Sequence, residues 1–172
     1  MEKSTQEMLT TDRTFQIARD AAKQYSESRL KVAFTSATPQ EKWLVQRIDR
    51  EDSFYYIVSY NVSARETARV IVDAFDGKVG EASGITREDG ELPRYLPMSD
   101  AMNRLFTESN RSAKWEIKMR SGLIGLHPVL VWKPCVQSST PFLPFYQFSV
   151  GESFVYLRVD GKLSARLTTG PA

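Results

Sequence analysis

A chain of 172 residues, 41% hydrophobic and 26% charged, has the composition of an ordinary globular protein and is long enough for one domain or two small ones. Its 23 basic and 21 acidic side chains leave a net charge of +2 and alternate even in the richest stretch, Arg87 to Arg120. No nucleic-acid partner is expected, because counterion release needs a patch of one sign.

Cys135 stands alone, which excludes an internal disulfide and a cysteine-rich zinc site. The opening residues Met1 to Glu7 are polar, and no apolar run approaches membrane-spanning length. The expectation is a soluble cytoplasmic protein with no membrane partner, or an exported one if a leader has been removed.

Residues 1–10 read as a loose polar arm. Thr11 is placed to cap a helix with Asp12 in its first turn, and Phe15, Ala18, Ala22 and Tyr25, with Ala21 beside them, form one apolar stripe. Five strands are predicted next: Leu30–Phe34, Trp43–Ile48, Phe54–Val62, Ala68–Phe75 and Val79–Ser83. Asp76-Gly77 joins the last two as a hairpin turn, since both residue types tolerate positive φ. Between the third and fourth strands, Ser63 and Glu66 fit a capping box, so Ser63–Thr67 is read as a helical turn or a solvated loop.

Residues 84–97, rich in glycine, acidic residues and proline, read as a linker after the first unit, 11–83. A second unit, 98–172, starts with Ser99 capping a helix whose stripe is Ala101, Met102, Leu105 and Phe106. Its strands are predicted at Trp115–Met119, His127–Trp132, Leu143–Val150, Phe154–Val159 and Leu163–Leu167. Helix followed by strands, twice, is an α+β pattern of two units in tandem, each a helix on a curled antiparallel sheet. An echo supports the repeat: Val72-Asp73-Ala74-Phe75-Asp76-Gly77-Lys78-Val79 returns as Val159-Asp160-Gly161-Lys162-Leu163.

Tyr56-Ile57-Val58-Ser59-Tyr60 followed by Val70-Ile71-Val72-Asp73-Ala74-Phe75-Asp76-Gly77-Lys78-Val79 resembles the PepSY domain pattern, over about a third of the chain. That resemblance implies a cystatin-like fold and a binding or inhibitory role toward peptidases. It carries no inhibitory residue over, because the matched positions are strand and turn positions.

Candidate chemistry is sparse. His127 and Cys135 lie eight residues apart and could pair as base and nucleophile, but no sequence signature of such enzymes surrounds them. Asp49, Glu51 and Asp52, and again Glu88, Asp89 and Glu91, fall in turns among arginines, where solvated charge is the commoner role. The two Asp-Gly-Lys turns lie between strands, so they lack the helix N-terminus that a phosphate cradle needs. No catalytic residue, metal ligand or cofactor is expected.

The stretch Trp132 to Tyr146 holds three prolines among Trp132, Phe142, Leu143 and Phe145. Such a loop either presents aromatics to a partner or folds them back over the sheet, the more usual use of aromatics in a small protein.

The reading that follows is a non-enzymatic module that binds another protein, as a monomer or homodimer. Its contact residues are Phe142, Leu143 and Phe145 on the second unit and Arg65 and Glu66 on the first. One alternative is a nuclear-transport-factor-like cone with a small-molecule pocket, with or without catalysis. Another is an oligomer-forming subunit.

Overall fold

Thr10, one residue before the expected cap, opens the first helix: its Oγ1 accepts from Arg13 N at 3.3 Å. The computed structural model that shows this describes residues 7–34, 39–62, 66–86, 95–110, 127–150 and 152–170. Helix α1 (Thr11–Tyr25) buries Thr14, Ala18 and Ala22, and Phe15, Ala21 and Tyr25 flank them half-buried. The small alanines let the helix lie close across the strands it covers.

The chain divides into two units, residues 1–45 with 52–93 and residues 46–51 with 94–172. In the first, α1 packs across an antiparallel sheet of β2 (Phe54–Asn61), β3 (Glu66–Asp73) and β4 (Val79–Thr86), with β1 (Pro39–Arg47) beside β2. Alternation along β2 sends Tyr56, Val58 and Tyr60 into the α1 core, joined by Val70 and Val72 of β3. Tyr55, Ile57 and Ile71 point to the other face and are buried there as well. Arg69 is buried on that face, donating from Nε to Ser59 Oγ at 3.2 Å, with its guanidinium 6.0 Å from the Trp43 ring.

In the second unit, strand order is β1, β5 (Val129–Trp132), β6 (Phe145–Val150), β7 (Ser153–Arg158), β8 (Leu163–Ser164). Only the end of β1 takes part: Gln46 and Arg47 run parallel to Val131 and Trp132. The remaining pairs are antiparallel. Tyr146, Phe148, Val150, Val155 and Leu157 share one buried face. Helix α2 (Met98–Asn110) adds buried Ala101 and Leu105, while Met102 is half-buried and Phe106 exposed.

The protein is therefore α+β, but several expectations need correction. Leu30–Phe34 is not a strand. Ser26–Leu30 extends α1 as one π-helical turn, stopped where Lys31 enters the left-handed region at φ 53°, and Leu30, Val32 and Phe34 reach the core without strand pairing. Glu66 and Thr67 begin β3 and are not the end of a helical turn. Residues 84–86 belong to β4, and Tyr95 is buried just before α2, so neither end of 84–97 is free linker. Ser99 lies inside α2, because the Pro97 carbonyl accepts the first intrahelical bond, from Ala101 N at 2.9 Å. Strand pairing in the second unit is mixed and not purely antiparallel, and that unit takes in residues 46–51 from the expected first unit. The expected strand Trp115–Met119 lies outside the described residues.

The same backbone bonds recur in each unit. Ahead of α1, Leu9 N donates to Ala74 O at 2.7 Å; ahead of α2, Leu96 N donates to Val159 O at 2.8 Å. Ala74 N in turn donates to Phe54 O, and Val159 N to Pro144 O, both at 3.0 Å. Across the turns, Asp73 N bonds Lys78 O and Arg158 N bonds Lys162 O, both at 2.9 Å. Each turn closes on a glycine at positive φ, Gly77 at 75° and Gly161 at 93°.

Candidate functional site

The loop between β5 and β6 is tied down at every turn. Cys135 and Ser138 exchange two backbone bonds of 3.1 Å, and the buried Ser138 hydroxyl lies 3.0 Å from Thr140 O and 2.9 Å from Leu143 O. The Gln137 amide is bonded to Thr168 from both ends, and Val136 N donates to Thr168 O at 2.9 Å. Arg158 donates to the Gln137 carbonyl with one nitrogen and grips Asp160 with two others, at 2.8 and 2.7 Å. That guanidinium holds the Asp160 carboxyl below its ordinary pKa, mainly through the hydrogen bonds, and Asp160 raises the pKa of Arg158 in return.

These ties fold the loop's aromatics inward. Phe142 is 8% exposed and Phe145 fully buried. The Phe142 carbonyl accepts the Tyr95 hydroxyl, and Leu143 is half-buried. Phe142 and Phe145 are thus core residues and not contact residues, because the loop is braced by hydrogen bonds at its base and tip. Val136, at 67% exposure, is the large apolar side chain that the loop does present. Of the two contact residues expected on the first unit, Arg65 lies outside the described residues, and Glu66 is the first residue of β3.

Elsewhere in the second unit lies a stretch of sheet edge that no strand among the described residues covers. In the first unit β4 pairs with β3 from Glu66 to Val72. In the second, β8 pairs with β7 only at Tyr156 and Leu157. When the residues that bond the lysine carbonyls, Asp73 and Arg158, are aligned, Ser153, Phe154 and Val155 match Ala68, Arg69 and Val70. Those three face Gly84, Ser83 and Ala82 of β4.

Among the described residues no strand lies against the outer side of Ser153–Val155. The chain leaves this course after Ser164, bends at Ala165 and Arg166, and joins the loop through Thr168. Phe154 is 48% exposed. It shares its face with Gln147, Tyr156 and the half-exposed Val129, and Gln147 Nε2 donates to the Tyr156 hydroxyl at 3.3 Å. Sequence reasoning did not single out Phe154, although alternation with Val155, Leu157 and Val159 already sets it on the opposite face from them. The strand expected at Leu163–Leu167 ends at Ser164, and the sequence carries no signal of that early end.

In the first unit, side chains of α1, β2 and β3 pack into one core. The Tyr60 ring lies 5.8 Å from Phe34, and its hydroxyl donates to Phe15 O at 2.6 Å. Lys42 lies 5.3 Å from the Phe15 ring and 4.9 Å from the Tyr56 ring. Among the described residues, no group of three His, Cys, Asp or Glu side chains is placed to hold a metal ion, and no helix is long and apolar enough to cross a membrane. Cys135 is buried and its thiol lies 3.6 Å from Ser138 O, whereas His127 is exposed. Comparison with protein families, curated proteins and solved structures finds no match.

Proposed function

We propose that this protein is a non-enzymatic binding module that takes an extended segment of another protein as an added strand beside β7. The observation that carries this reading is the edge Ser153–Val155, which no strand among the described residues covers, at positions where the first unit carries its own β4. Strand addition draws affinity from main-chain hydrogen bonds and specificity from alternate side chains. Here the apolar side chain on the edge strand itself is Phe154, about half exposed. The two units are read as cystatin-like, PepSY-like copies in tandem, a reading supported by the repeated bonds around α1 and α2. Packing between α1 and the sheet favours this binding reading over the small-molecule pocket.

The test places a photo-crosslinking phenylalanine analogue at position 154, and at 136 as control, in the source cells. A partner captured at 154 and not at 136 is expected. A synthetic peptide spanning the captured segment should protect the amides of 153–155 from exchange, and Phe154→Asp should weaken it by about tenfold. A peptide that binds Phe154→Asp as well as wild type, or leaves those amides unprotected, would overturn the reading.

A further inference from the structure

The outermost strand of the first unit, β4, reads Val79-Gly80-Glu81-Ala82-Ser83-Gly84-Ile85-Thr86. One side of its backbone pairs with β3, and among the described residues no strand lies against the other. Folded proteins protect such an edge with lysines, prolines, bulges or a covering element. This strand has neither proline nor lysine, and its one irregularity sits at the Val79 end, where the register shifts between Ile71 and Val72. Its one charged residue is Glu81, exposed and opposite Ile71.

We infer that β4 pairs antiparallel with β4 of a second copy, symmetrically about Ala82. The register follows from side-chain alternation and charge. A two-fold antiparallel pair must bring residues of the same face opposite one another; the registers that use most of β4 centre on Ala82 or Ser83, and shorter ones on Glu81 or Gly84. A pair centred on Glu81 sets two carboxylates face to face, which is destabilising. Centring on Ser83 puts Glu81 opposite Ile85, with no donor for the carboxylate.

The Ala82 register puts Glu81 of each copy opposite Ser83 of the other, so a hydroxyl donor meets a carboxylate twice over. It also puts Gly80 opposite Gly84, whose own missing Cβ makes room for Leu30 and Tyr25 of the same chain. The strand therefore carries both the acceptor and its complement, which identifies a second copy as its partner. Each Ser83 also sits beside the buried Arg69 on β3, so the acidic–polar row continues onto the neighbouring strand.

The test uses the full chain in sedimentation equilibrium together with a cysteine scan in a Cys135→Ser background. Wild type should show a concentration-dependent dimer, and Ser83→Glu, which sets carboxylates opposite one another twice, should raise its Kd about tenfold. Directly opposed residues of an antiparallel pair have Cα atoms about 4.5–5.5 Å apart, within disulfide reach. Mild oxidation should therefore link Ala82→Cys chains to one another and leave Ser83→Cys chains unlinked. Phe154→Asp should leave dimerisation unchanged, which separates this interface from the β7 edge. A wild type that stays monomeric at every concentration, or equal linking through positions 82 and 83, would overturn the inference.

Discussion

Tyr60 shows how one side chain joins a helix to a sheet. Its ring is fully buried among Val58, Val70 and the α1 stripe, and its hydroxyl donates to Phe15 O at 2.6 Å. Burial pushes its pKa from 10.0 to about 12, since the phenolate loses more on leaving water than the phenol does. Tyr60→Phe should cost about 1 kcal/mol at neutral pH by removing that bond. The sign of the alkaline effect follows from the raised value. The unfolded chain loses its proton first, so the tyrosine's contribution is whole below pH 10 and is lost as pH rises toward about 12. Denaturant melts across that range should show the loss in wild type and not in Tyr60→Phe. That a tyrosine at position 60 faces the core is legible from alternation with Tyr56 and Val58. That its hydroxyl finds a helix carbonyl is not, because the match depends on how closely Ala18 and Ala22 bring α1 down.

Among elements, hairpins were the most legible and the β5–β6 loop the least. Asp-Gly followed by Lys marks a turn in both units, and Gly77 and Gly161 take positive φ; Asp76 does not, and β3 ends at Asp73, so the connection is longer than the expected tight Asp76-Gly77 turn. The loop's packing instead depends on Thr168, far along the chain, which no local pattern announces. Gln137→Ala should therefore loosen two segments at once. Losing its bond to Thr168 N, worth about 1 kcal/mol, should speed amide exchange roughly fivefold at Thr168 and also at Val136. Exchange at Val136 that stays as in wild type would show that the Gln137 side chain does not brace the pairing.

Arg158 supplies the second brace. Since hydrogen bonding to Arg158 depresses the pKa of Asp160, the carboxylate's contribution is present above its unfolded pKa of about 4. It is lost as pH falls through the lower folded value. Asp160→Asn should remove that part of the acid sensitivity, seen as a shallower fall in stability below about pH 4. The effect is small, because the Asp160 side chain is 38% exposed and the pair is screened by solvent.

For the whole molecule, the sequence repeat points to two units that meet at a linker, yet the structure assigns residues 46–51 to the second unit. Parallel pairing of Gln46 and Arg47 with Val131 and Trp132 joins residues remote in sequence, and neither segment records its partner. Short apolar strands specify a face; they do not specify a neighbour. The segment is also chemically committed to its place: Ile48 N donates to Trp132 O at 3.1 Å, and the Arg47 guanidinium lies 5.0 Å from the Trp132 ring while it pairs with Asp49 at 2.6 Å. A cut after residue 93 would leave fragment 94–172 with β5 lacking its parallel neighbour and the Trp132 ring lacking its cation. That fragment should give poorly dispersed amide resonances and bind a hydrophobic dye, and adding fragment 1–93, which carries Arg47 and Ile48, should restore dispersion. In the intact chain, Arg47→Ala should destabilise by roughly 1 kcal/mol through the lost cation–π and carboxylate contacts. If fragment 94–172 gives a dispersed spectrum by itself, the second unit does not depend on residues 46–51, and the tandem boundary at the linker is the physical one.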